Sequence, residues 1–223
     1  PFAAALRKAN GPAIIAEIKF RSPSQGELRS RHDVAFVARS YELNGASALS
    51  VLIDGTHFAG RLDDLESARM ATSLPVLAKG FLVDPREILE ARIARADAVL
   101  LIAGCLTRSE LAGMHDLARE LGMDALVELH GDEDLLKIEG LPLELVGVNH
   151  RNLDTLQMDM DLSRRLAARL PGEAVKVAES GIASSADLDR MKSLGYDAVL
   201  VGTRFMKHPD PGAALNALLG DIP

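Results

Sequence analysis

Tryptophan is absent from this 223-residue chain, aromatic residues of all kinds make up 4%, and there is one cysteine. A core with so few rings has to be filled by Leu, Val, Ile and Ala, the residues that fill buried parallel strands. The single cysteine, Cys105, excludes an internal disulfide framework and fits a reducing cytoplasm. It closes an apolar run, where a buried, inert thiol is expected rather than a nucleophile. There is no apolar run of about 18 residues and no signal peptide, so no membrane span is expected. The net charge is −7 and no block of Lys or Arg stands out, which argues against a nucleic-acid or anionic-membrane partner. Basic residues that matter must therefore be placed singly. No His and Cys cluster at ligand spacing, so no metal is expected. His57, His130 and His150 fall near strand ends, but scattered histidines are usually structural or solvated.

What is present is regular alternation. Strand patterns are expected at Ala13–Lys19, Ala48–Ile53, Val76–Lys79, Ala98–Ile102, Asp124–Leu129, Leu145–Asn149, Val175–Ala178 and Ala198–Val201. Helical patterns fall between them at Val34–Leu43, Leu62–Ala71, Pro85–Ile93, Ser109–Leu121, Asp132–Ile138, Leu162–Leu170 and Ser185–Leu194, with a last one at Gly212–Leu219. Strand and helix repeating in this way over this length predict an α/β fold, a single-domain (β/α)8 TIM barrel with its active site at the C-terminal ends of the strands. The alternative is an open doubly wound sheet, but no GxGxxG follows the first strand. The longer connections, Phe20–Asp33 and Asp54–Arg61, both leave strand C-termini. The chain opens at Pro1 rather than Met, so a segment upstream is expected.

Two consecutive strands end in turns that contain glycine: Glu179-Ser180-Gly181 and Gly202-Thr203-Arg204. Ser184 or Ser185 caps the intervening helix and Gly195 closes it. Parallel strands joined this way bring both turns to one side, where backbone N–H groups can hold a phosphate. Charges recur at the other strand ends. Glu17 and Lys19 alternate with Ile18, so both point to the barrel interior. Lys79, Glu128, Asn149-His150-Arg151 and Glu179-Ser180 close strands three, five, six and seven. Such a ring is costly to bury without tight pairing or a ligand, and it offers acids and bases with shifted proton affinities.

These residues resemble the indole-3-glycerol phosphate synthase family over nearly the whole chain, Ile14 to Pro209. The matching motifs are Glu17-x-Lys19-x-x-Ser22-Pro23-Ser24, Lys79-x-Phe81, Glu128, Gly147-Val148-Asn149-x-Arg151-x-Leu153, Ala178-Glu179-Ser180-Gly181-Ile182 and Val201-Gly202-Thr203. The resemblance implies a cytoplasmic, cofactor-free lyase of tryptophan biosynthesis. It closes the ring of 1-(2-carboxyphenylamino)-1-deoxyribulose 5-phosphate, with loss of CO2 and then water. It also implies Lys79 as general acid, Glu128 and Glu17 as an acid/base pair, and Asn149 and Glu179 binding sugar hydroxyls or positioning the acids. Lys19, Ser22, Arg151, Ser180, Gly181, Gly202 and Thr203 would hold phosphate or carboxylate, and Phe58 and Phe81 would wall the anthranilate ring. Its partners would be that small phosphosugar-arylamine and, beyond it, other enzymes of the pathway. The chain departs from the family pattern at Ile53, Arg61, Gly80 and His150, and in the loop that holds Gly55 and Thr56. Only Phe2–Lys8 stands where the family has an N-terminal helical extension over the ring pocket. These departures keep two other readings open: a non-catalytic phospho-ligand binder, and a related barrel enzyme acting on another phosphosugar or arylamine. Phosphoribosylanthranilate isomerase is disfavoured because Glu17-x-Lys19 and Lys79-x-Phe81 follow the synthase pattern.

Overall fold

Eight short apolar segments pair in parallel and close on themselves. In the computed structural model, which describes residues 2–9, 11–29 and 34–220, these are β1 (Ala13–Ile18), β2 (Ala48–Leu52), β3 (Val76–Lys79), β4 (Ala98–Ile102), β5 (Asp124–Leu129), β6 (Leu145–Asn149), β7 (Val175–Glu179) and β8 (Ala198–Val201). Each strand pairs with its sequence neighbours, and β8 returns to β1 with Ala13 opposite Ala198 and Ala16 opposite Val201. The barrel is thus complete, and the open sheet is excluded. Nearly every strand residue is buried because the outer face packs on helices and the inner face on the opposite strands, hence the near-continuous apolar runs.

The surrounding helices are α2 (Val34–Leu43), α3 (Leu62–Ala71), α4 (Pro85–Ile93), α5 (Arg108–Glu120), α6 (Leu135–Ile138), α7 (Leu162–Leu166), α8 (Ser185–Ser193) and α9 (Pro211–Gly220), preceded by α1 (Phe2–Arg7). Three of them start in reciprocal capping boxes, Asp84 with Glu87, Thr107 with Glu110 and Ser184 with Asp187. Ser184, not Ser185, is therefore the cap of α8, and Gly195 follows that helix with φ +83°. The expected helices at 132–138 and 162–170 are each part 3-10: a 3-10 turn leads into α6, and another follows α7. Of the loop expected after β1, residues 30–33 lie outside the described residues. Its first part forms a two-stranded hairpin, Arg21–Ser22 against Gly26–Glu27.

Inside the barrel, side chains of alternate residues form layers. Ala13 and Ile15 of β1, Leu77 of β3, Leu100 of β4, Leu126 of β5, Leu145 of β6, Val177 of β7 and Leu200 of β8 belong to one apolar cluster. Phe2, Ala3 and Leu6 of α1 join it from below. The Ala3 N–H donates to Asp124 Oδ2 at 2.8 Å, at the start of β5. Arg7 Nη2 donates to the Glu173 carbonyl at 3.0 Å, just ahead of β7. Thus α1 plugs the N-terminal end of the barrel, opposite the strand ends that carry the charges. Continuing two residues per step up each strand reaches Glu17, Lys79, Glu128, Asn149 and Glu179, so the period that fills the core also delivers these side chains to its upper layer.

Candidate active site

The upper layer is a network of opposite charges centred on Lys79. Its ammonium lies 3.0 Å from Glu128 Oε2 and 2.5 Å from Glu179 Oε2. Glu128 Oε1 accepts from Asn149 Nδ2 at 3.2 Å. Asn149 Oδ1 in turn accepts the Arg151 N–H at 3.0 Å, which fixes the amide's orientation. Across the barrel, Lys19 Nζ pairs with Glu17 Oε1 at 2.6 Å. β1 stops at Ile18, one residue short of expectation, yet Lys19 still turns inward to Glu17.

Burial sets the proton affinities. It would lower that of Lys79, but Glu128, Glu179 and Glu17 outweigh it and hold the ammonium charged well above its ordinary range. Burial would raise Glu128, but Lys79 and His130 outweigh it and keep this carboxylate ionised below the usual range. Glu179 goes the other way. Burial and the negative Glu128 push it well above the ordinary carboxyl value, and Lys79 only partly offsets them. Two carboxyls flanking one lysine thus differ in state, one ionised and one inclined to keep its proton.

Two glycines make the crowding possible. A Cβ at Gly202 would stand 2.2 Å from Glu17 Oε1, and one at Gly147 would stand 2.5 Å from Glu179 Oε1. Gly147 sits mid-strand in β6, where a glycine signals close approach by another group; that signal could have been read from the sequence. Ser50 is a further residue that sequence reasoning missed. It is a hydroxyl inside the apolar strand β2, fully buried and in register with Glu17. Among the described residues, Ser22 Oγ, Ser50 Oγ and Glu179 Oε1 are buried without a hydrogen-bond partner. Such atoms are costly to leave bare, and Ser50 and Glu179 belong to the charged ring.

The expected anion ligands are partly assembled. Gly202 lies against Glu17 beside Lys19, and Thr203 opens a short helix, Thr203–Met206, directly after β8. Ser180 and Gly181 have φ of +67° and +78°, so the turn after β7 is left-handed at two successive residues. Gly181 is overlaid by Met160, whose sulfur would be 2.3 Å from a Cβ there. Arg151 Nη1 donates to the Leu156 carbonyl at 3.1 Å, within its own loop. Phe58 and Phe81 do not face each other across a slot. Their rings stack at 6.4 Å, and His57 meets Phe81 edge-on at 5.5 Å, so the three form one aromatic wall. Asp54 caps the helical turn Gly55–Phe58 and accepts from the His57 N–H at 2.7 Å, which sets that wall in place. Gly80 packs on Ile53: a Cβ at 80 would lie 3.0 Å from Ile53 Cγ1, so the two departures from the family pattern fit one another.

His150 is structural, with Nδ1 2.8 Å from the Ser180 carbonyl and Nε2 2.6 Å from Ser163 Oγ. His130 is buried near the charged ring, with Nε2 3.1 Å from Glu128 Oε1. Cys105 corrects the expectation of a buried thiol. β4 ends at Ile102, and the 3-10 turn Ala103–Cys105 carries the thiol out to an exposed position, although the apolar run continues in sequence.

The family model described as indole-3-glycerol phosphate synthase matches residues 1–218. This chain belongs to the indole-3-glycerol phosphate synthase family. Relatives carrying that name include proteins from Koribacter versatilis, 44% identical over 94% of this chain and 81% of theirs, and from Leifsonia xyli subsp. xyli, 46% identical over 97% and 83%. One from Polaromonas naphthalenivorans is 43% identical over 99% of this chain and 85% of its own. Among solved structures, 3-hexulose-6-phosphate synthase superposes with a TM-score of 0.73 at 18% identity, covering 95% of this chain and all of that one. Thiamine phosphate pyrophosphorylase from Pyrococcus furiosus gives 0.69 at 15%, covering 93% and 94%. At those identities the likeness is one of fold.

Proposed function

We propose that the Lys79–Glu128–Glu179 network drives ring closure and the eliminations that follow it, in the reaction of the family. That reaction converts 1-(2-carboxyphenylamino)-1-deoxyribulose 5-phosphate to indole-3-glycerol phosphate, a carboxy-lyase step of tryptophan biosynthesis. In the first step the ring carbon bearing the carboxylate attacks the sugar carbonyl. The oxygen of that carbonyl becomes an alkoxide, and Lys79 protonates it. A lysine held so firmly charged is a weak acid, yet a developing alkoxide is a stronger base than an amine and can take its proton. Loss of CO2 returns the bonding electrons to the ring. Water then leaves when an acid protonates the new hydroxyl and a base takes a proton from the neighbouring ring CH2. Glu128, held ionised, is the base of this pair and Glu17 the acid. Asn149 and Glu179 position these groups, and the charged ring stabilises each developing charge without reorganising.

The phosphate is assigned to Lys19, Ser22, Arg151 and the turns at Ser180-Gly181 and Gly202-Thr203, and the anthranilate ring to the wall of Phe58 and Phe81. The observation that carries the reading is the single lysine bridging two buried carboxyls at the top of a barrel of this family. Assigning the whole chain to one barrel domain, working in the cytoplasm beside the enzymes that supply its substrate and consume its product, completes the proposal. The test is a fluorescence assay for indole-3-glycerol phosphate, with the wild type beside Lys79→Ala. Product formation that the substitution removes, with substrate still bound by calorimetry, is the expected result. No product from the wild type, with binding retained, would replace this reading with that of a non-catalytic binder.

A further inference from the structure

We propose that His130 is the positioning residue for the Glu128 carboxylate. The inference rests on the reading of Glu128 as the base. Glu128 closes β5, and His130 follows it by two residues in the loop that begins there. The ring nitrogen Nε2 stands 3.1 Å from Glu128 Oε1, and the two side chains are only 10% and 2% exposed. The contact is not a hydrogen bond, and among the described residues both buried ring nitrogens lack a hydrogen-bond partner. A buried imidazole with no hydrogen bond of its own thus faces this carboxylate. Its backbone is pinned as well: the His130 N–H donates to Asp134 Oδ2 at 2.8 Å.

The two oxygens of Glu128 are thereby divided. Oε2 faces Lys79 at 3.0 Å, while Oε1 faces His130 and the Asn149 amide at 3.2 Å. Without His130, Oε1 keeps only the amide, and the carboxylate is free to rotate so that both oxygens turn toward Lys79. The base would then be displaced from the substrate proton it must take, and one of the contacts that keep it ionised would be gone. The charged and titratable groups around Glu128 are Lys79 from β3, Glu179 from β7, Cys105 from the turn after β4 and His130 itself, with Asp134 behind the loop. Lys79 meets Oε2 and the imidazole faces Oε1, so removing His130 leaves the Lys79 contact in place while altering Glu128.

The experiment is steady-state kinetics of the full chain between about pH 5 and pH 9, comparing wild type, His130→Ala and His130→Gln, with thermal unfolding measured in parallel. A charge contact that is not a hydrogen bond corresponds to roughly a three- to tenfold change. His130→Ala should lower kcat by about that factor with KM within about twofold, and should move the acid limb of the kcat profile to higher pH. His130→Gln, whose amide N–H can reach Oε1, should recover much of the rate and return the limb. An unchanged kcat and acid limb in His130→Ala would overturn the proposal. So would equal losses in both variants that follow the fall in unfolding temperature, since that marks a packing role. An inactive wild type would instead strike the underlying reading of the site, and the two failures are thus told apart.

Discussion

Replacing Lys79 by methionine keeps an unbranched apolar stem of nearly the same shape and removes only the charge. The structure gives that charge two partners, Glu128 at 3.0 Å and Glu179 at 2.5 Å, both almost wholly inaccessible to water. Removing one member of a buried ion pair costs about 3–5 kcal/mol, because the partner is left without compensation. Loss of a general acid costs a further ~10²–10⁴-fold in rate. The stability effect carries its own pH signature. In the wild type Glu128 is held below its ordinary value of about 4.3, so its contribution is present above that pH and is lost on acidification. In Lys79→Met the same carboxyl has lost the charge that lowered it, and burial beside Glu179 holds it above the ordinary value. A raised carboxyl loses stability as pH rises, so the gap between wild type and variant should widen from about pH 5 to pH 9. Chemical denaturation across that range gives the gap, and product fluorescence gives the rate. A variant within about tenfold of wild-type kcat would refute the general-acid role. A gap independent of pH would refute the pairing.

Gly202→Ala sets a methyl against Glu17 Oε1, 2.2 Å away, and should destabilise the fold by about 1–3 kcal/mol in denaturant titration while separating Glu17 from Lys19; an unchanged midpoint would mean that Glu17 moves aside freely. Thr203→Asp places a carboxylate at the start of the Thr203–Met206 turn and should weaken binding of the phosphorylated substrate by roughly tenfold or more in calorimetry, whereas equal affinity would remove this turn from the anion site. Glu179 is raised by burial and by Glu128, so its stabilising share is full below the ordinary carboxyl value and falls as pH climbs. Glu179→Gln removes that titration and should unfold at a higher temperature than wild type near pH 9, with the difference shrinking towards pH 5.

The barrel was legible in the sequence because parallel strands buried on both faces leave continuous apolar runs, and because the Ser184-Ser185 pair announces the helix between the last two strands. The charged ring was legible for a related reason. An ionised residue at an apolar strand's end has few structural uses, and Glu17, Lys79, Glu128 and Glu179 all occupy such ends. What escaped depends on distances across the barrel. A mid-strand glycine marks a close approach at Gly147, but nothing local names Glu179 as the group that fills it, or tells His130, which faces Glu128, from His150, which ties down a loop. Cys105 misled because hydropathy sees the apolar run continue while the backbone has already turned outward. The stacking of Phe58 on Phe81 rests on the helical turn Gly55–Phe58, which is too short for periodicity to reveal.

The plug formed by α1 has a consequence for the order of events during synthesis. Its anchors, Asp124 and Glu173, follow it by 121 and 166 residues, and the strand beside it, β1, takes its last neighbour from β8. A ribosome adding about 5–20 residues per second would therefore hold α1 and one edge of β1 without their final contacts for many seconds. Through that interval Phe2 and Leu6 are exposed apolar surface, and the edge of β1 is an open template for a foreign strand. Emergence of β8, which closes the barrel onto β1, is the step that covers this edge.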